Sequence, residues 1–270
     1  MNDLLTLNAP EVFEGHDGHR HFAELFYGPG AGRAVIVFTA PADHQRNQDL
    51  TLGLLSALGT VLSVYPGLGP WSDLTVHTDA DPGRTHGVGE NRLHIDMVDR
   101  DLTPRIIALY CVRDDPQGGG ASALADMWSA VDSLSDGDRE ALKQSVYRYW
   151  TDEGVHGVGR SLERFPIVPQ ELTGGFPVRF TSKMGPHLEK GELVDTNLVS
   201  ADQAAGAFSR LAEAVYAVRT THRLQPGQVL VWDQQRYAHG RMPLGEGQAE
   251  LPEDRRRLLR QTYVAERTAL

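Results

Sequence analysis

The sequence predicts a β-rich α+β fold: one domain of the jelly-roll kind, with helices flanking its strands or inserted between them. Three observations carry this. Short apolar, β-branched runs recur along the chain, bounded by glycine and proline. Helical segments fall between them without the regular strand–helix alternation of a doubly wound sheet. No glycine-rich dinucleotide or phosphate-binding fingerprint follows a strand.

Taken in order, GRAVIVFTAP (32–41) is a buried strand stopped by proline, and QDLTLGLLSALGTV (48–61) carries Leu50, Leu54, Leu55 and Leu58 at helical spacing before Gly59. RLHIDM (92–97) alternates as a strand. RIIALYCVR (105–113) is a strand apolar on both faces, followed by the DDPQGGG turn (114–120). Residues 123–146 read as one or two helices broken near Asp136-Gly137. The stretch 150–200 is interrupted by glycine and proline, with a short strand at FPVRF (176–180). Residues 200–224 form a helix with Ser200 and Asp202 as candidate caps, GQVLVWD (227–233) a strand, and RRLLRQTYV (256–264) the last strand. No internal repeat or linker divides the 270 residues, so a single domain over 1–270 is expected.

Charge narrows the partners. Lys plus Arg is 26 and Asp plus Glu 36, a net charge of −10, which disfavours nucleic acid and anionic membranes. A basic cluster in so acidic a chain therefore needs a local cause. The single cysteine, Cys111, excludes an internal disulfide and a multi-thiolate zinc site, and its apolar setting makes it an inert buried thiol. With no signal-peptide pattern and no membrane-length apolar run, a soluble cytoplasmic protein is expected.

The chemistry starts at RLHIDM. On a strand His94 and Asp96 share a face, their Cα atoms roughly 6–7 Å apart at about 3.3 Å per residue. Of the 11 histidines, His16, His19 and His21 read as a solvated group, and His44, His77, His86, His156, His187 and His222 as structural or exposed. His239 differs, because it follows the VLVWD strand in DQQRYAHGR (233–241). Two histidines and one carboxylate with open positions make the ligand set of non-haem Fe(II) oxygenases. Downstream, Arg255, Arg256, Arg257 and Arg260 form the basic cluster. Arg256 and Arg260 share a face on a strand, and an inward guanidinium needs an anion, with carboxylate the best geometric match.

These motifs in this order, LHID, GGGAS, GQVLVWDQQRYAHGR and RRLLRQTYV, resemble the Fe(II)/2-oxoglutarate-dependent dioxygenases of the taurine dioxygenase and clavaminate synthase-like group, with the carbapenem synthase branch also similar. The resemblance runs from about Gly87 to Ala265. It implies a double-stranded β-helix (jelly roll) core over about 85–265 and the cofactors Fe(II), 2-oxoglutarate and O2. It implies that His94, Asp96 and His239 ligate iron. Arg256 would bind the far carboxylate of 2-oxoglutarate, helped by Ser122 where the family usually has threonine. Arg241 would face the cosubstrate or substrate, and Arg260 would turn to the substrate. Asn91, before the iron strand, could offer an amide hydrogen bond or be a plain turn residue. The long segment 242–254 leaves Arg255, Arg256 and Arg257 as candidates for the clamp, and strand parity with Arg260 favours Arg256.

The activity implied is hydroxylation, desaturation or cyclisation at an unactivated C–H bond of a small anionic substrate. A free or modified amino acid in natural-product biosynthesis is the leading class, and taurine-type sulfonate catabolism the alternative. Asp96, which related halogenases replace by a small residue, argues for oxygenation. A non-catalytic cupin-like barrel would want histidine at position 96 and leaves the arginines unexplained. A zinc hydrolase lacks its helical motif.

Overall fold

The computed structural model describes residues 4–9, 16–65, 67–150, 159–172 and 176–266. Two antiparallel-rich sheets face each other, with helices on both outer faces. The larger sheet has seven strands: β1 (Leu5–Ala9), β2 (Arg33–Phe38), β3 (Thr60–Leu62), β4 (Ser72–Thr75), β6 (Ile106–Arg113), β11 (Gln228–Asp233) and β13 (Leu258–Ala265). Its order is β1-β2-β11-β6-β13-β3, with β4 also paired to β13. The smaller sheet runs β10 (Arg219–His222), β7 (Ser122–Asp126), β12 (Tyr237–Arg241), β5 (Asn91–His94). A separate hairpin joins β8 (Tyr147–Tyr149) to β9 (Gly191–Leu193).

Alternation along the central strands explains the layering. In β6, Ile106, Ala108 and Tyr110 pack outward against Phe22, Phe26, Leu54 and Leu55 of helices α1 (His16–Tyr27) and α2 (His44–Ser56). Ile107, Leu109 and Cys111 point the other way, into the core shared by both sheets, where Leu124 of β7 and Trp232 of β11 meet them. This is why the strand reads as apolar on both faces. Behind the smaller sheet, Ala123 and Ala125 pack under α3 (Met127–Asp132), α4 (Asp136–Leu142) and α5 (Ala201–Ala217). Cys111 is buried, and burial pushes its thiol up to about 12, so it is inert near neutral pH.

Several expectations shift. The segment expected to open as a helix at Ala123 begins with strand β7, because Ser122–Asp126 pairs with both β10 and β12. The helix from Ser200, whose hydroxyl caps Gln203 N–H as expected, stops at Ala217 rather than Leu224, and β10 follows. In both cases sheet pairing overrides local propensity. FPVRF forms no strand; the chain there runs beside β5 through Ile95 N–H to Phe180 O at 2.8 Å and a bridge between His94 and Thr181. The larger sheet also takes four strands from residues before 80, outside the expected 85–265 core. His156 and the side chain of His16 lie outside the described residues.

Candidate active site

His94 ends β5, and Asp96 follows in a turn whose next residue, Met97, has φ of +57°. Gln234, fully buried just after β11, holds that turn: its side-chain oxygen accepts from Asp96 N–H at 2.9 Å and its amide donates to Pro104 O at 2.7 Å. His239 lies on β12 directly opposite His94. The neighbouring Gly240 permits this pairing, since a Cβ there would come within 2.7 Å of Asn91 O.

The three side chains converge. His94 Nε2 is 3.3 Å and His239 Nε2 3.7 Å from Asp96 Oδ1. Their ligand atoms lie within 4.8 Å of one another, the one such group of three or more histidine, cysteine or acidic side chains among the described residues. Chemistry favours donation to a metal. His94 Nδ1 donates to Arg92 O at 2.7 Å, which fixes the ring and turns Nε2 toward Asp96. Burial pulls His239 down to about 3, leaving the imidazole neutral. Burial alone would raise Asp96, but the His239 and His94 rings and the Tyr263 hydroxyl outweigh it and hold the carboxyl well below its usual range. Asp96 Oδ2 accepts from Gln261 Nε2 at 3.0 Å and Tyr263 OH at 2.9 Å, leaving Oδ1 turned to the histidines. Two imidazoles and a monodentate carboxylate fit an Fe(II) ion with open positions.

A small cavity continues from this group, lined by Asn91, Ser122, Arg241, Arg257 and Gln261 beside the three donors. Ser122 and Arg241 face each other across β7 and β12, and Arg241 pairs in turn with Asn91 on β5. Arg241 donates to Gly87 O at 2.7 Å. Burial pushes both Arg241 and Arg257 down to about 10, with Arg241 adding its repulsion to the effect on Arg257. Gly120, at φ +70°, makes room: a Cβ there would meet Leu244 Cδ2 at 2.6 Å and Arg257 at 3.1 Å.

The structure does not bring Arg256 or Arg260 into this cavity. Arg256 donates to the carbonyls of Leu251, Val76 and Ala249. Arg260 bonds Asp73 and Gln48, both at 2.9 Å, across the β4 edge. Arg257 enters instead, because the inward row of this segment is Arg257, Leu259, Gln261 and Tyr263, the parity opposite to the one expected. The 242–254 insertion sets it: Gln248 accepts from Arg257 N–H at 3.1 Å and donates to buried Asp115 at 3.1 Å. Gln234, Gln248, Gln261 and Tyr263 escaped the sequence reading; the available signal was that Gln261 and Tyr263 are polar residues on Arg257's parity.

Comparison with known proteins identifies the family. The family model described as "Taurine catabolism dioxygenase TauD, TfdA family" matches residues 12–263. A uridine-5'-phosphate dioxygenase from an Amycolatopsis species is 28% identical over 72% of this chain and 68% of its own. An L-lysine 3-hydroxylase from Catenulispora acidiphila is 27% identical over 56% of this chain, though only 40% of its own length. Among solved structures, an asparagine oxygenase with Fe(II), 3-hydroxyasparagine and succinate superposes with TM-score 0.67 at 17% identity, covering 96% of this chain and 93% of that one. The non-heme iron oxygenase OrfP with iron and alpha-ketoglutaric acid gives 0.68 at 15%, covering 97% and 94%. The family match spans nearly the whole chain and the likeness in fold is equally complete, so the chain belongs to the TauD/TfdA family, as a non-haem iron dioxygenase that uses Fe(II), 2-oxoglutarate and O2.

Proposed function

We propose that His94, Asp96 and His239 hold the iron of this dioxygenase, and that the enzyme hydroxylates a small substrate carrying an anionic group, a free or modified amino acid. The observation that supports this best is the convergence of two imidazoles and one carboxylate oxygen, each fixed by a hydrogen bond or by burial. Bound Fe(II), with 2-oxoglutarate and O2, supplies the oxidising power for an unactivated C–H bond. The chain supplies position. Arg257, rather than Arg256, takes the far carboxylate of 2-oxoglutarate, with the Ser122 hydroxyl beside it; two buried cations, Arg241 and Arg257, suit a dianion. Asn91 borders both this cavity and a larger one of about 680 Å³ on the other side of His94 and Asp96, where the substrate would sit.

Amino-acid hydroxylation is favoured by the mixed charges of that larger cavity: Arg84, Lys183 and Lys190 beside Asp79 and Asp81 suit a zwitterion. A nucleoside phosphate is the second reading, supported by the likeness to the uridine-5'-phosphate dioxygenase. The test supplies Fe(II), 2-oxoglutarate and O2 with L-asparagine, L-lysine, L-arginine, uridine-5'-phosphate or taurine, and measures succinate and oxygen-bearing product together. Stimulated succinate with an amino acid that gains one oxygen atom is the expected result. Stimulation by taurine or uridine-5'-phosphate alone refutes the amino-acid reading.

A further inference from the structure

We propose that the anionic group of the primary substrate is gripped by Lys183 and Arg84, across the His94–Asp96 edge from the Arg257 pocket. This rests on the functional reading above and adds what that reading lacks, the residues that select the substrate.

The chain has three lysines against 23 arginines, since 26 − 3 = 23. Lys143 pairs with Glu140 on α4. The other two, Lys183 and Lys190, both line the 680 Å³ cavity that opens on His94 and Asp96. Lys183 is carried there by the strip that runs beside the iron strand: Thr181 bridges to His94, and Ser182 N–H donates to Leu93 O at 3.0 Å. Arg84 reaches the same cavity from the loop between β4 and β5. Neither the Lys183 ammonium nor the Arg84 guanidinium makes a hydrogen bond or ion pair with another described residue. Burial, then the nearby Arg84 and Arg92 charges, push Lys183 down to about 8, while Glu189 and Asp81 only partly offset them. Two cations with no hydrogen-bonded or ion-paired partner among the described residues, lining a cavity at the reacting centre, make a site for an anion.

Strand β13 leaves this task open. Four residues after Arg257, on the same inward row, stands Gln261, which is neutral and donates to Asp96 Oδ2. Arg260 lines a further cavity of about 770 Å³ that reaches Asp96, but its guanidinium is already held by Asp73 and Gln48. No cation of that strand other than Arg257 lines the cavity at the three donors. A carboxylate or phosphate on the substrate thus finds its free cations on the opposite wall, and its distance from Lys183 and Arg84 sets which carbon faces the metal.

Lysine chemistry gives a test that does not need the substrate. The probe is pyridoxal-5'-phosphate, whose aldehyde condenses with a lysine amine to give an imine and water. Plain pyridoxal, which lacks the phosphate, is the comparison. The protein is treated at pH 7.5 with excess 2-oxoglutarate filling the Arg257 pocket, reduced with borohydride, and mapped by peptide mass spectrometry. Lys183 should be labelled ahead of Lys143, and about tenfold faster by the phosphate-bearing probe. Arg84→Gln should remove most of that advantage, and Asp81→Asn, which deletes a neighbouring negative charge, should enlarge it. Opposite effects from two variants of one loop separate charge from misfolding.

L-asparagine and L-lysine against their carboxamides, and uridine-5'-phosphate against uridine, then act as protectants. Protection by the amino acids identifies the anion as a carboxylate, and protection by the nucleotide as a phosphate. Equal rates for pyridoxal and its phosphate at Lys183, or an advantage untouched by Arg84→Gln, overturn the proposal. The wild-type protein's consumption of 2-oxoglutarate under Fe(II) and O2 is read in parallel. Its absence sinks the functional reading while the labelling result still stands or falls by itself.

Discussion

Replacing Arg257 by methionine should weaken cosubstrate binding and, without cosubstrate, stabilise the fold. Arg257 is 7% exposed, and its guanidinium has Arg241 as a neighbour and donates no hydrogen bond to another described residue. Burial lowers it from 12.5 to about 10. That difference, at about 1.36 kcal/mol per unit, is a charging penalty on the order of 3 kcal/mol in the folded state. The sign follows from linkage: the folded value lies below the unfolded one, so the penalty is complete below about pH 10 and is relieved only between there and 12.5. Methionine fills similar space without the charge, and each 1 kcal/mol is worth about 2–4 °C in Tm for a chain of this size. The variant should therefore melt a few degrees above wild type when 2-oxoglutarate is absent, and the order should reverse when it is saturating. Succinate release should show a 2-oxoglutarate KM raised about 10- to 150-fold, the equivalent of roughly 1.5–3 kcal/mol for a charge-assisted contact. Arg256→Met, which only frees three backbone carbonyls, should leave KM near wild type. A lower Tm with unchanged KM in Arg257→Met, or the KM effect appearing in Arg256→Met, refutes the assignment.

The remaining predictions concern the metal and the outer edge. His94→Ala, Asp96→Ala and His239→Ala should each abolish the weak visible charge-transfer band that forms anaerobically with Fe(II) and 2-oxoglutarate; a band surviving in all three disproves the donor set. Tyr263→Phe and Gln261→Leu should each weaken anaerobic Fe(II) binding by about 10- to 100-fold, because the carboxylate they orient is then free to rotate. An unchanged affinity in both would mean that these bonds do not position Asp96. Arg260→Ala should cost only about 0.2–1 kcal/mol, the worth of a partly exposed pair with Asp73, with no change in 2-oxoglutarate KM.

Much of this architecture is written in local chemistry. β6 and β11 are legible because each carries an unbroken apolar run, Ile106–Val112 and Val229–Trp232, packed on both faces. His94, Asp96 and His239 are legible because a period of two and a histidine just past a buried strand are strong signals together. What stays hidden is contextual. Ser122–Asp126 and Arg219–His222 continue segments that read as helices and become strands because they pair with each other, with β12 on the far side of Ser122–Asp126. Gln234, Gln248 and Gln261 look like ordinary polar residues; their meaning comes from partners 138, 133 and 165 positions away.

The arginine assignment shows where parity reasoning goes astray. Parity relates residues of one strand to each other but does not say which row faces in. Choosing the row by its two arginines selects 256 and 260, yet those charges are met at the sheet edge by carbonyls, Asp73 and Gln48. Choosing it by burial cost selects the other row. Gln261 and Tyr263 sit beside apolar Leu259 and Val264 in a strand that must be covered, so their polar atoms need a buried partner. The ionised Asp96 is that partner. Once Gln261 and Tyr263 face Asp96, Arg257 must face the same way, and one row of β13 both orients the carboxylate of the proposed iron site and supplies the cation of the proposed cosubstrate pocket. On the proposed assignment, metal geometry and cosubstrate binding depend on a single strand register, and a slip of one residue would lose both together.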